Sequence, residues 1–178
     1  RFLAAHAKKV IAVEKDRKLS ALLSETLPKE KTKNIELITG DIVQLLPHVI
    51  TGHELKTNTY KLISNIPYYL TSRLIRILLE QEQKPASIAL TIQKEVAERI
   101  VAQPPNMNIL ALSAQAYGTP EIITEVPASC FSPQPKVDSA ILKISTISED
   151  FFIQHRIVPK DFFTLIKTGF SSRRKLLT

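Results

Sequence analysis

The sequence predicts an α/β protein with a mostly parallel sheet and helices on both faces. Short apolar runs alternate along the chain with segments whose apolar residues recur at helical spacing. Wholly apolar runs, such as residues 10–13, are typical of strands buried on both faces, as in parallel sheets covered by helices. The last two predicted strands have no helix between them, so we expect a hairpin-like end to the sheet.

Each predicted element has a local signal. The strands are short apolar runs at 10–13, 35–38, 62–63, 86–92, 121–126 and 137–144. Helices between them are indicated by apolar stripes, the clearest being Leu19, Leu22, Leu23 and Leu27, and then Leu74, Ile75, Leu78 and Leu79. Thr71 and Ser72 are candidate N-caps for the second of these helices. Two further helices are predicted at 94–102 and about 108–117.

The domain organisation follows from the same patterns. The stretch Ser145–Asp150 is polar and loop-like, so we expect residues 1–146 to form the α/β domain, residues 147–158 to form a linker, and residues 159–178 to begin a helical second domain. Arg1 is not a methionine and opens a segment with the pattern of a helix already under way, and the chain stops at Thr178 without a helix terminator. We therefore expect a fragment cut at both ends.

Composition excludes several classes of protein. Hydrophobic residues make up 44% of the 178 residues, which indicates a globular chain. The single cysteine, Cys130, allows no internal disulfide and is predicted to be a small buried residue. No apolar run reaches the roughly 18 residues of a membrane span, and no signal peptide is visible, so the expected location is the cytoplasm. The four histidines are scattered, so we expect no metal site.

Positive charge is concentrated at the end of the chain. The net charge is +7, and residues 151–178 hold six Lys/Arg against one acid, which leaves only +2 for the first 150 residues. A basic tail on a nearly balanced body indicates a polyanionic partner, with phosphate the favoured anion. The alternative is an ordinary solvated helix face.

Three successive strands end in polar side chains, at the edge where parallel sheets bind ligands. Glu14 could accept hydrogen bonds from the two hydroxyls of a ribose, although it could also pair with Lys15 or cap the following helix. Asp41 could accept from an exocyclic amine such as that of adenine, although it could equally be the N-cap of a helix over 42–46. Asn65 ends the third strand.

The most specific stretch is Asn65-Ile66-Pro67-Tyr68. The Asn65 side chain and the Ile66 backbone each offer a carbonyl acceptor, and Pro67 stiffens the turn without donating an N–H. Two acceptors aimed at one amino group would draw the nitrogen lone pair out of conjugation with an aromatic ring, so that the amine could attack a methyl sulfonium. Tyr68 offers a face for base stacking. The alternative is a proline loop with a core tyrosine.

These motifs resemble a known family. N-I-P-Y matches the [N/D/S]-[P/I/L]-P-[Y/F] signature of adenine amino-group methyltransferases, and the wider chain resembles the KsgA/Dim family of ribosomal RNA adenine dimethyltransferases. The matching stretches are V-I-A-V-E-K-D at 10–16, G-D at 40–41, Q-K-E-V-A-E-R-I at 93–100, F-S-P-Q-P-K-V-D-S-A at 131–140 and F-S-S-R-R-K-L-L at 170–177. The likeness covers nearly the whole chain.

The resemblance implies a Rossmann-like class I methyltransferase fold, followed by the start of a small helical C-terminal domain that contacts RNA. S-adenosyl-L-methionine would be the cofactor, with Glu14 holding its ribose, Asp41 its adenine amine, and Lys15 and Ile42 lining the adenine. Asn65 would lie next to the cofactor and the target amine.

On the substrate side, the resemblance implies that Asn65, Ile66 and Pro67 form the catalytic turn, and that Tyr68 and Phe131 sandwich a flipped adenine. The RNA contacts would be Lys136, Arg173, Arg174 and Lys175. The product would be two adjacent dimethyladenosines near the 3′ end of small-subunit rRNA, made on the pre-small ribosomal subunit by a monomer without a metal.

Two departures and three alternatives accompany this interpretation. The family's Gly-rich cofactor loop would lie before Arg1, so the chain by itself is expected to be inactive while an intact parent is active. The segment 103–108 differs from the Gly- and Tyr-containing segment common in the family. The alternatives are a large-subunit rRNA adenine methyltransferase that confers antibiotic resistance, a DNA adenine methyltransferase, and a non-catalytic nucleic-acid binder descended from the fold.

Overall fold

The chain divides into two compact units, Arg1–Glu54 and Leu55–Thr178, in a computed structural model that describes residues 2–27 and 34–171. Strands and helices alternate through both units, and the α/β prediction is confirmed. The hydrogen-bonded strands form a parallel pair in the first unit and a four-stranded mixed sheet in the second. Within the described residues, no helix is long and apolar enough to cross a membrane.

The first unit is a strand–helix–strand arrangement with flanking helices. Its elements are α1 (Phe2–His6), β1 (Val10–Glu14), α2 (Arg17–Thr26), β2 (Ile35–Thr39) and α3 (Ile42–Gly52). β1 and β2 pair in parallel, with Val10 opposite Ile35 and Glu14 opposite Thr39. The two strands therefore end side by side, which places the residues after them at one edge of the sheet.

Aspartates begin both long helices of this unit. Asp16 caps α2 by accepting hydrogen bonds from the backbone N–H groups of Lys18 and Leu19, and Asp41 caps α3 by accepting from that of Val43. Gly40 turns the chain from β2 into Asp41 with φ +153°, and a Cβ there would lie 2.6 Å from Leu45 Cδ1. Glycine is therefore required directly before Asp41.

The second unit carries the mixed sheet. Its elements are β3 (Lys61–Asn65), α4 (Thr71–Glu80), β4 (Ser87–Gln93), α5 (Lys94–Val101), α6 (Ile109–Gln115), β5 (Thr119–Val126), β6 (Ser139–Ser145), α7 (Asp150–His155) and α8 (Pro159–Ser171). The strand order is β3-β4-β6-β5. β3 and β4 are parallel because α4 crosses between them, whereas β6 is antiparallel to both β4 and β5, as the missing helix predicts.

The core of this unit lies between β4 and α4. Ile88, Leu90 and Ile92 alternate along β4 and are fully buried, and the predicted stripe on α4, Leu74, Ile75, Leu78 and Leu79, is buried as a whole. At roughly 1.5–3 kcal/mol for each buried aliphatic side chain, these residues supply much of the driving force for folding of the unit. Because β3 pairs with β4, this core also fixes the position of Asn65 at the end of β3.

The segment predicted as a linker is packed. Ile147 and Phe152 are buried, and Phe152 lies in the short helix α7. Phe152 and Phe163 of α8 both contact the ring of Tyr117, with ring centroids 5.0 and 5.9 Å from it. Phe152 of the predicted linker therefore packs on the Tyr117 ring, which lies just before β5. The boundary between the two domains stays a prediction.

An ion pair with one buried partner reinforces this packing. Lys84 is only 3% exposed, and its ammonium donates to Glu149 Oε1 and to the Gln81 carbonyl oxygen, both at 2.7 Å. The ammonium also lies 5.4 Å from the centroid of the Tyr117 ring. The residue directly before α7 is thus held against the segment that leads into β4.

Stability at high pH tests the environment of Tyr60. Its hydroxyl donates to the Gln83 carbonyl oxygen and accepts from Gln81 Nε2, each at 2.7 Å. Burial raises the pKa of Tyr60 to about 12, and the bond from Gln81 opposes that shift. An unfolded tyrosine titrates near 10, so the stability that Tyr60 contributes is fully present below about pH 10 and is lost as the pH rises towards 12.

We expect Tyr60→Phe to lower the free energy of unfolding by about 1 kcal/mol at pH 8. The difference between the two proteins should shrink by about 1 kcal/mol at about pH 11, because only the wild type has a phenol that ionises more easily when unfolded. Urea unfolding at both pH values measures it. A difference that stays constant would show that burial does not raise this pKa.

Candidate active site

The turn after β3 is closed by a backbone hydrogen bond and begins with an exposed asparagine. Asn65 is the last residue of β3 and is exposed, while the Ile66 side chain is buried and anchors the turn. Pro67 adopts φ −56° and ψ 134°, and its carbonyl oxygen accepts a hydrogen bond from Leu70 N at 2.9 Å. That bond closes a single 3₁₀ turn over Tyr68–Leu70, which leads directly into α4.

Two carbonyl acceptors of this turn are available to a ligand. Neither the Asn65 amide oxygen nor the Ile66 carbonyl oxygen accepts a hydrogen bond from another residue in the described parts of the chain. Carbonyl groups are normally paired when they lie within a packed domain. Two adjacent acceptors without an internal partner can hold both hydrogens of one amino group.

The Tyr68 ring is fixed by a hydrogen bond. Its hydroxyl lies 2.9 Å from the hydroxyl of Ser139, which is fully buried at the start of β6. Tyr68 is half-buried, so one face of its ring can be offered to a ligand while its far end is tethered. The turn after β3 is thereby joined to β6, although β4 lies between the two strands.

The loop that carries Phe131 is held by Asp138. The Asp138 carboxylate accepts from Ala128 N at 2.8 Å, and its carbonyl oxygen accepts from Lys94 N at 3.0 Å. Asp138 therefore fixes one end of the loop to the other. Phe131 follows a 3₁₀ turn, is half-buried, and makes no ring contact with Tyr68 among the described residues.

Two other residues of this loop carry predictions. Lys136 is exposed, as an RNA contact requires. Cys130 is also exposed, so the prediction that it is buried is wrong. It falls in the short turn over Ala128–Cys130, whose neighbours Pro127 and Ser129 are exposed as well.

In the first unit, Glu14 keeps an oxygen for a ligand. Glu14 Oε1 accepts a hydrogen bond from Asp16 N at 2.8 Å, and no residue of the described ranges donates to Oε2. Asp16, rather than Glu14, caps α2, so the capping alternative for Glu14 is wrong. The bond to Asp16 N orients a carboxylate that can accept from vicinal hydroxyls.

Asp41 and Lys15, the residue directly after Glu14, form an ion pair. Asp41 Oδ1 accepts from Val43 N at 2.9 Å, and Asp41 Oδ2 lies 2.8 Å from Lys15 Nζ. The alternative that Asp41 is an N-cap is therefore confirmed, and the pairing predicted between Glu14 and Lys15 is replaced by one between Lys15 and Asp41. A carboxylate oxygen has two lone pairs and can accept from more than one donor. Ile42 follows as the first residue of α3 and is half-buried.

Three of the predicted RNA contacts, Arg173, Arg174 and Lys175, lie outside the described residues. Within 2–27 and 34–171, no group of three or more His, Cys, Asp or Glu is placed to hold a metal ion. Sequence reasoning missed Ser139 as the partner of Tyr68, because no local pattern links residues 71 positions apart.

Helix-flanked strands with Glu14 and Asn65 at the ends of β1 and β3, and with Asp41 after β2, agree with the fold of class I methyltransferases. The chain belongs to the ribosomal RNA adenine dimethylase family, whose model matches residues 1–178. Ribosomal RNA small subunit methyltransferase A of Dehalococcoides mccartyi (strain CBDB1) is 42% identical over 175 residues, which cover 98% of this chain and 58% of the relative. The chain thus spans about three-fifths of the length of the curated relatives it matches.

Solved structures agree with this assignment. A dimethyladenosine transferase from Plasmodium falciparum superposes with a TM-score of 0.79 at 28% identity, over 96% of this chain and 58% of that one. The 23S rRNA methyltransferase ErmE superposes with a TM-score of 0.66 at 25% identity, over 83% of this chain and 56% of that one. The fold predicted from the resemblance is confirmed.

The tether of Tyr68 can be measured by a double-mutant cycle. We expect Tyr68→Phe and Ser139→Ala each to lower the free energy of unfolding by about 1 kcal/mol, since each removes one partner of the hydrogen bond. The double variant should be at most a few tenths of a kcal/mol less stable than the less stable of the two single variants, because either substitution alone already breaks the bond. Urea unfolding of the four proteins measures the coupling. Fully additive effects would show that the two hydroxyls are not bonded.

Proposed function

We propose that the protein dimethylates N6 of two adjacent adenosines near the 3′ end of small-subunit rRNA during ribosome biogenesis, using S-adenosyl-L-methionine. The observation that supports this most directly is the turn Asn65-Ile66-Pro67-Tyr68, in which two unpaired carbonyl oxygens lie beside a tethered aromatic ring. An adenine has an exocyclic amino group and a flat ring, which match these two features.

The acceptors change the reactivity of the amine. The adenine N6 lone pair is normally delocalised into the ring, so the amine is a weak nucleophile. Hydrogen bonds from its two hydrogens to Asn65 Oδ1 and to the Ile66 carbonyl oxygen favour a pyramidal nitrogen with a localised lone pair. S-adenosylmethionine supplies, when bound, an electrophilic methyl group on a sulfonium. The new N–C bond forms as the C–S bond breaks, its electron pair stays on sulfur, and the amine proton leaves to water.

The rings hold the base out of its helix. We propose that the adenine lies between Tyr68 and Phe131, at about 1–3 kcal/mol for each stacked base. Extrusion of a nucleotide costs a few kcal/mol and less from a loop, so stacking of this size can offset it. The bond from Tyr68 to Ser139 and the bonds that Asp138 makes keep both ring-bearing segments in place.

The first unit offers residues for the cofactor. We propose that the free oxygen of Glu14 accepts from the ribose hydroxyls, that Asp41 accepts from the adenine amine, and that Ile42 and the Lys15 stem line the adenine ring. These residues fit the cofactor, because a carboxylate at the end of β1 and another after β2 can accept hydrogen bonds from the vicinal hydroxyls and the amino group of a nucleoside. Asn65 would contact the methionine end of the same cofactor.

The partner would be the rRNA of the pre-small ribosomal subunit. The exposed Lys136 would contact its backbone, and Arg173, Arg174 and Lys175 add positive charge at the end of the chain. We propose a cytoplasmic monomer that needs no metal, because transfer of a methyl group to a held amine requires positioning and no Lewis acid.

A second candidate function is methylation of large-subunit rRNA, which the similarity to ErmE favours. The small-subunit relative is more similar to this chain in sequence, at 42% identity. Incubation of the full-length gene product with radiolabelled S-adenosylmethionine and unmodified small or large ribosomal subunits separates the two functions. A product that binds either subunit without transferring label would favour a non-catalytic binder.

Asn65 is the residue whose replacement tests the chemistry. We expect Asn65→Ala to lower kcat on unmodified small subunits by about 10²–10³-fold, the loss typical of one oriented hydrogen-bonding group at a reacting atom. The dissociation constant for S-adenosylmethionine, measured by calorimetry, should change little. Asn65→Asp, which keeps an acceptor oxygen and fits the signature, is the matched control and should retain more activity. Normal turnover by Asn65→Ala would refute the role assigned to this residue.

Glu14 tests the cofactor site. We expect Glu14→Gln to weaken S-adenosylmethionine binding by about tenfold or more, because a neutral amide oxygen accepts more weakly from ribose hydroxyls than a carboxylate does. Calorimetric titration of the full-length gene product measures the dissociation constant. Glu25→Gln removes an exposed acid from α2 and is the control. Equal affinities for wild type and Glu14→Gln would contradict the assignment.

A further inference from the structure

The catalytic turn carries a second tyrosine that the proposed chemistry does not use. Tyr69 follows Tyr68 directly and is 78% exposed. Its hydroxyl and its ring make no hydrogen bond or ring contact with other residues in the described part of the chain. The other tyrosines have such contacts: Tyr60 bonds Gln83, Tyr68 bonds Ser139, and Tyr117 packs against two phenylalanines.

The turn directs the two neighbouring rings differently. The bond from Leu70 N to the Pro67 carbonyl oxygen and the bond from Thr71 N to the Tyr68 carbonyl oxygen fix the backbone on both sides of Tyr69. Tyr68 is held inward by Ser139, and Tyr69 is left in solvent. A single exposed aromatic residue is common on protein surfaces, so exposure alone assigns no role.

A positively charged side chain follows Tyr69 about one helical turn further along the chain. The 3₁₀ turn runs directly into α4 through Leu70 and Thr71, both in right-handed helical conformation, so Tyr69 and Arg73 are helical neighbours at i and i+4. Arg73 is exposed and forms no ion pair with any residue of 2–27 or 34–171. By contrast, Arg76 on the same helix pairs with Glu80, its Nε lying 3.0 Å from Oε1.

We propose that Tyr69 and Arg73 bind the nucleotide next to the target adenosine, with its base stacked on Tyr69 and a phosphate paired with Arg73. An open aromatic face beside an uncompensated guanidinium has the chemistry that recognises single-stranded RNA. Extrusion of the target base leaves the adjoining base without a stacking partner, and the residue next to Tyr68 is placed to replace that partner. This inference rests on the proposed function.

A fluorescent base tests the stacking directly. The probe is an RNA hairpin with two adjacent adenosines in its loop and 2-aminopurine at the next position, bound to the full-length gene product. Stacking on a tyrosine quenches 2-aminopurine, so we expect quenching with wild type and Tyr69→Phe, and its loss with Tyr69→Ala. The dissociation constant should rise about tenfold in Tyr69→Ala, within the range of one base–aromatic contact. Phe2→Ala removes an equally exposed ring, at 77%, outside the turn and should change neither quantity.

Salt dependence tests Arg73. We expect Arg73→Gln to lower the slope of log K against log salt by about 0.7–1, the loss of one phosphate contact. Arg76→Gln should lower it less, because the Arg76 guanidinium is already paired with Glu80. An unchanged slope in Arg73→Gln would remove Arg73 from the proposal.

The outcomes separate this inference from the proposed function. Methyl transfer by wild type together with equal quenching by wild type and Tyr69→Ala would overturn the inference and leave the function standing. Tyr69-dependent quenching without methyl transfer would support the binding role and overturn the function. If Tyr69→Ala fails to fold, loss of quenching by Tyr69→Ser in a protein with a wild-type unfolding midpoint supports the stacking, and retained quenching overturns it.

Discussion

The hydrogen bond between Tyr68 and Ser139 is the constraint on which the geometry of the turn after β3 depends. It joins the end of β3 to the start of β6 across the intervening strand β4, so the turn is fixed at both its strand and its ring. Pro67 prevents the backbone from relaxing into a helix. Asn65 and Ile66 lie in this constrained turn, and the Asn65 amide oxygen and the Ile66 carbonyl oxygen accept no hydrogen bond from the described residues.

The loop that carries Phe131 is held by the residue directly before Ser139. Asp138 binds Ala128 N through its side chain and Lys94 N through its carbonyl oxygen, and the next residue is Ser139. One dipeptide thus orients both aromatic segments, because the residue that closes the loop and the residue that tethers Tyr68 are neighbours. A change in strand register at β6 would displace both rings at once.

Local patterns in the sequence predicted most elements and the site residues at the strand ends. Apolar periodicity and capping residues act over a few positions, so β1, β2, α4 and the Asp41 cap were accessible to such reasoning. Long-range pairings were not. The partner of Tyr68 lies 71 positions away, and the burial of Lys84 depends on Glu149, 65 positions further along. The helix α7 was missed because it is only six residues long and follows a polar stretch, and because the contact of Phe152 with Tyr117 is a long-range one.

The ion pair of Lys84 and Glu149 has a mechanical consequence. A hydrogen-bonded pair with one partner buried keeps its strength only within a narrow range of distances, unlike an apolar contact that tolerates sliding. The helices that follow β6 are therefore attached to the sheet at two points, the ion pair and the stacked rings of Tyr117 and Phe163, and loss of either point would loosen that attachment.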